Sequence, residues 1–210
     1  MSHDDTTRRL LEEAGTTYAE EAGITLADTP MPLFELLVLC MLASKPIDAT
    51  VATRAARELF GQKLRTPGAV LAADRRTMID AFGRAGYARY DESSATRLVD
   101  IASAVRDDYH GDLRELAARC EQDRDAAKRL LKEFTGIGDT GASIFLREVQ
   151  DVWTWVRPYF DTRATAAAKD LGLPADPDTL AGLGRGECAR LAAALVRVSL
   201  DDELRDTIAT

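Results

Sequence analysis

Ten consecutive residues, Leu33 to Leu42 (LFELLVLCML), are apolar at every position except Glu35. A helix that is apolar on all its faces cannot lie on a surface and needs other elements packed around it. The longest uninterrupted apolar stretch, Leu36 to Ala43, is far too short to cross a bilayer, so no membrane association is expected. Pro30 and Pro32 precede the segment and Pro46 closes it, which marks a single buried central helix. What surrounds it must also be helical. Ala and Leu are abundant, β-branched runs are scarce and aromatics make up only 6% of the chain. VWTWV (152–156) is the only strand-like alternation, and five residues cannot make a sheet. The fold class expected is all-α.

Periodicity and capping residues place the other helices. Residues 6–22 read as one polar helix. Asp48 to Thr50 cap VATRAARELFG, which Gly61 stops. Short helices are expected at 67–73 and 75–82, followed by a loop over 83–94 (GRAGYARYDESS) and a helix over 95–109. Others follow at 112–120, 126–134, 140–149, 162–171, 177–181, 187–198 and 200–208. No internal repeat or low-complexity segment interrupts them.

Residue counts exclude several kinds of chemistry. Two histidines, His3 and His110, leave almost no room for a histidine metal site or a Ser-His-Asp triad. Cys40, Cys120 and Cys188 are widely spaced and odd in number, which suits reduced thiols in a cytoplasmic protein and gives no metal site. The polar, acidic N-terminus MSHDDTTRRLLEEAG lacks the pattern of a signal peptide. A net charge of −8 argues against a nucleic-acid partner, since phosphate contact needs surplus positive charge.

The segment 126–149 points the other way. Two amphipathic helices are joined by TGIGDTG, in which Gly136 and Gly138 permit a tight turn and close backbone approach. The second helix begins at once, leaving its free N–H groups and positive dipole end beside the turn, an arrangement that holds a phosphate without a basic side chain. A plain interhelical turn would use the same glycines.

LKEFTGIGDTGA (131–142) resembles the helix-hairpin-helix of the endonuclease III-type DNA glycosylases, whose pattern is L-P-G-V-G-x-K-T-A. DTRATAAAKDLGL (161–173) is similar to that family's D-T-H-V-x-R-x-x-x-R-L-G-L, sharing Asp161, Thr162, Leu171, Gly172 and Leu173. PLFELLVLCMLASKPIDATV (32–51) is similar to P-F-E-L-L…L-L-S-x-Q-x-x-D-x-x-V. The three pieces keep the family's order and cover about residues 30–175.

The resemblance implies a central helical lobe over 30–150 that contains the hairpin. A second lobe, from 1–29 and 151–210, would carry the catalytic aspartate, and the flipped nucleotide would sit between the lobes. It implies a DNA glycosylase of base excision repair acting as a monomer on double-stranded DNA that contains a lesion. Asp161 would then stabilise the oxocarbenium-like sugar and direct water at it; as a simple helix cap it would need none of this. The family's strand-cutting members carry a lysine where this chain has Thr140, so a monofunctional enzyme without AP-lyase activity is expected. Gly136, Ile137, Gly138, Asp139 and Gly141 would face the DNA backbone. Lys45 stands where relatives have a gap-filling glutamine, though it could equally point into water. Tyr87 and Arg89 lie in the loop that carries the family's wedge. Trp153 and Trp155 could line the base pocket or belong to the core. The four clustered cysteines of the family's iron–sulfur loop are missing, so no cofactor is expected beyond a monovalent cation at the hairpin.

Two other functions fit the same residues. One is a non-catalytic helix-hairpin-helix DNA-binding protein. The other is an all-α regulatory or partner-binding protein, which the net charge of −5 over the first 29 residues (seven acids, two bases) disfavours. Charge is also segregated along the chain. Residues 45–90 hold nine bases and four acids, and residues 124–169 eight bases and six acids. Those are the two stretches that the glycosylase reading sets against DNA.

Overall fold

Polar side chains cap several of the helix starts in the computed structural model, which describes residues 2–209. The Asp5 N–H donates to the Ser2 hydroxyl and opens α1 (His3–Ala14). After α2 (Tyr18–Glu21), a proline at its first position starts α3 (Pro30–Ala43). Asp48 caps α4 (Ala49–Gly61) and Thr66 caps α5 (Pro67–Ala72). Then come α6 (Arg75–Ala85), α7 (Asp91–Tyr109) and α8 (Arg114–Arg119). Asp123 caps α9 (Arg124–Leu131), and α10 (Asp139–Val149) follows a short turn. Asp161 caps α11 (Thr162–Asp170) and Asp176 caps α12 (Pro177–Leu183). The chain finishes with α13 (Cys188–Val198) and α14 (Asp202–Ala209). No β-strand occurs among the described residues, as the composition requires.

Three local expectations need correction. The helix expected over 6–22 starts earlier and is two helices, because α1 ends at Gly15 and Tyr18 begins a separate turn. VWTWV forms a 3₁₀ turn over Thr154–Val156 in place of extended chain. The stretch 83–94 is largely helical: α6 runs to Ala85, a 3₁₀ turn spans Ala88–Tyr90, and α7 already begins at Asp91. Asp91 and Glu92 in the first turn of α7 favour its positive end, so acids that look like loop residues are helix-start residues here.

The chain divides into two units. The middle unit, Ala19–Phe145, is built around α3, whose residues 32–42 are all buried. Helices α4 and α7 pack directly on α3; α6 packs on both α4 and α7, and α5 on α7. Glu35, fully buried on α3, is answered by an ion pair with Arg65. The terminal unit comprises residues up to Tyr18 and from Leu146 onward. Its centre is α13, buried along nearly its whole length, with α1, α11 and α14 packed on it. The divisions fall at 18/19 and 145/146, where the sequence reading places them at 29/30 and 150/151. Helix α10 belongs to both units, its last four residues to the terminal one.

All three cysteines are buried, Cys40 and Cys120 in the middle unit and Cys188 in the terminal unit. Among the described residues no helix is long and apolar enough to cross a membrane.

Candidate functional site

In the middle unit, the hairpin is anchored by two buried apolar side chains, Phe134 and Ile137, and the Ile137 N–H donates to the Phe134 carbonyl. The first turn of α10 closes with the Ala142 N–H on the Gly138 carbonyl. The N–H groups before Ala142 therefore lie at the open end of the helix, where intrahelical acceptors run out. Gly138, Asp139 and Thr140 are exposed there, while Ile137 and Gly141 are buried. Ile137 thus serves the hairpin from inside; its side chain is not part of the exposed rim.

Two glycines are closely approached by other side chains. Gly136 has φ +89°, and a Cβ on it would stand 2.8 Å from Arg97 Cδ. A Cβ on Gly141 would stand 2.4 Å from the Ser44 hydroxyl, at the end of α3. The hairpin is thereby seated against the α3–α4 connection and against α7. Arg97, half-buried on α7, is a functional candidate that the sequence reading missed. Its signal was available once 91–109 is read as one helix, because position 97 flanks the buried Ser94–Leu98–Ile101 stripe.

Further cations gather in the same unit. Lys132 Nζ lies 2.9 Å and Lys128 Nζ 3.9 Å from Asp139 Oδ1. The Lys132 hydrogen bond, with the charge behind it, holds the Asp139 carboxyl below the usual carboxylate range. Lys45 Nζ sits 5.2 Å from the centre of the Tyr90 ring, and the Arg89 guanidinium 5.4 Å from it. Burial, with the nearby charge of Arg97, pushes the Lys45 ammonium below the ordinary lysine value. Lys45 does not simply extend into water.

Tyr87 is a correction. Its ring is fully buried against Phe82, and its hydroxyl donates to the Leu42 carbonyl at 2.9 Å. A side chain fixed in the core in this way cannot serve as a wedge. Tyr90, three residues on, is the partly exposed aromatic of that turn and carries the two cations.

In the terminal unit, Asp161 uses both carboxylate oxygens. Oδ1 accepts the Ala164 N–H at 2.9 Å, the capping bond of α11. Oδ2 accepts from Arg147 Nη1 at 2.8 Å. The Asp161 side chain is 13% exposed and that of Arg147 only 4%. Burial works against the Arg147 charge; Glu148 and Asp161 overcome it and hold the guanidinium above the ordinary arginine value. Sequence reading missed Arg147, whose position in α10 carries no motif. Gln150 was missed as well. Its buried amide donates to the Arg147 and Tyr159 carbonyls and accepts the Tyr159 N–H, which fixes the loop leading to Asp161. On that loop Trp153 and Trp155 stack with centroids 5.4 Å apart; Trp153 is buried and Trp155 half-buried. Trp155 alone offers a face to a ligand.

The donor set does not fit an iron–sulfur cluster. Such a cluster needs four thiolates; the chain has three cysteines, each in a separate part of the fold. Among the described residues, no three or more His, Cys, Asp or Glu side chains are gathered to hold a metal ion.

No protein-family model matches the chain, and no curated protein matches it. Among solved structures, it is similar to a trapped endonuclease III–DNA covalent intermediate, an estranged-adenine complex. The TM-score is 0.53 and the identity 19%, over 92% of this chain and 81% of the other. The arrangement of helices, together with that likeness, establishes an endonuclease III-like, all-α fold.

Proposed function

We propose that the chain is a monofunctional DNA glycosylase that hydrolyses the N-glycosidic bond of a damaged or mispaired base, with Asp161 as the catalytic carboxylate. The observation that carries this reading is the fixed, partly exposed Asp161 carboxylate at the start of α11, in a chain of endonuclease III-like fold. As the C1′–N bond lengthens, positive charge develops on the sugar, and an anion held in place stabilises it without having to reorganise. Water then forms the C1′–O bond, its proton passes to the carboxylate or to solvent, and the base departs with the bonding pair. Thr140 occupies the position of the strand-cutting lysine, and a hydroxyl forms no Schiff base. Duplex DNA containing a lesion is the substrate class. Gly138, Thr140 and the Asp139 N–H, with Lys128, Lys132, Arg97, Lys45, Arg89 and Tyr90, are the groups offered to its backbone. A monovalent cation at the hairpin, a monomeric state and a cytoplasmic location belong to the same proposal.

The test is an excision assay on alkylated, deaminated and oxidised duplexes, comparing wild type with Asp161→Asn. Release of at least one base by wild type, a drop of ~100-fold or more in the variant, and no strand break before alkali are expected. One observation favours a second reading, a DNA-binding protein without catalysis: both Asp161 oxygens are already engaged. Duplex binding with no base released from any lesion would decide for it.

A further inference from the structure

Between α1 and the turn that joins α12 to α13, the terminal unit holds a cavity of about 510 Å³. That volume suits a small molecule. Leu11 and Leu183 give it an apolar lining, which they share with four acids and three arginines. Two of the arginines are tied down: Arg8 Nη1 lies 3.0 Å from Glu12 Oε2, and Arg190 is bonded to Glu187 and to the Gly15 carbonyl. Asp5 accepts the Ser2 hydroxyl at 2.7 Å. The remaining pair is looser. Arg185 Nη2, on the turn, lies 4.0 Å from Asp4 Oδ2, on α1, and neither side chain makes a hydrogen bond among the described residues. An exposed ion pair of that kind carries little by itself. Thr7 adds the second observation. It lines the same cavity at 2% exposure, and its hydroxyl has no hydrogen-bond partner among the described residues. A buried hydroxyl left unpaired costs free energy until a ligand or a water supplies the partner. We propose that this cavity binds a free α-amino acid with an apolar side chain. Its carboxylate takes the planar fork of Arg185, its ammonium takes Asp4, and its side chain lies on Leu11 and Leu183. The Thr7 hydroxyl gains an acceptor, either that carboxylate or a water held beneath it. Ligands of one charge fit less well: a phosphate meets more acids than bases, and a simple amine leaves the Arg185 donors unanswered.

The inference stands apart from the glycosylase reading, which assigns none of the lining residues. Its test is an NMR titration of the full chain with three probes: L-leucine, N-acetyl-leucine, which lacks the ammonium, and leucine methyl ester, which lacks the carboxylate. L-Leucine is expected to bind with a Kd of ~1 mM or below, and each derivative ~10-fold more weakly or worse. Arg185→Gln and Asp4→Asn change exposed side chains, and each should weaken L-leucine by ~10-fold or more with circular dichroism unchanged. Thr7→Val, close to it in shape, removes a hydroxyl that makes no bond; it should fold at least as well as wild type and weaken L-leucine by ~3-fold or more. No saturable response to L-leucine up to ~20 mM overturns the inference. Equal binding of either derivative overturns it too, as does wild-type affinity in any of the three variants.

Discussion

Asp161 shows how much one residue can do when each oxygen has its own partner. As a cap it satisfies the Ala164 N–H, and as an ion it meets a guanidinium that is almost fully buried. Asparagine preserves the first duty and loses the second; alanine loses both. In urea denaturation, Asp161→Asn should cost less than Asp161→Ala, the difference being about 1 kcal/mol for the lost cap. Equal costs would show that the capping bond contributes nothing. The sequence makes the cap plain, because aspartate before a helical run is a strong local signal. It says nothing of Arg147, fourteen residues away on a different helix. Tyr87 and Tyr90 illustrate the same limit. Both occur in one aromatic and basic stretch, and only the register of the 3₁₀ turn sends the first into the core and leaves the second half-exposed.

At the scale of the element, the hairpin depends on what it must not carry. Gly136→Ala combines a positive φ with a contact at 2.8 Å to Arg97 Cδ. It should destabilise the protein by roughly 1–2 kcal/mol, as measured by thermal or chemical unfolding. Asp139 acts in the opposite sense to the rest of the hairpin, because it ties Lys132 and Lys128 to itself at the end where phosphate would bind. Asp139→Asn should therefore tighten duplex binding by ~2- to 5-fold and steepen its salt dependence. Weaker binding in that variant would mean the acid is itself a contact. The sign of the pH effect follows from the lowered carboxyl. Stability from this pair is present above the ordinary aspartate value and is lost as pH falls through the depressed one, so acid and not base frees the lysines. The glycines and the turn between helices are legible from TGIGDTG itself. The Arg97 contact is not, because Arg97 stands 39 residues before Gly136 and folding alone brings the two together.

For the whole molecule, a net charge of −8 sets the terms on which DNA could be held. With two to three phosphate contacts, duplex affinity should fall about 10- to 50-fold between 50 and 200 mM salt. A flat salt response would remove phosphate contact from the picture. The helical class and the buried α3 follow from LFELLVLCML and the scarcity of β-branched runs, since burial of such a segment leaves few alternatives. The division at 145/146 does not follow from any residue pattern. It falls inside a continuous helix, where no glycine, proline or polar run marks it.

The three cysteines give the molecule a set of internal reporters. Cys40 and Cys120 lie in the middle unit and Cys188 in the terminal unit, all of them buried. Burial pushes the thiols of Cys120 and Cys188 up, which slows their reaction further while the fold stays closed. A thiol reagent followed by peptide mass analysis would record how often each unit opens, with no label added and no residue changed. Equal labelling rates at Cys40 and Cys188 would mean that the chain opens as one cooperative body; faster labelling of one would identify the unit that lets go first.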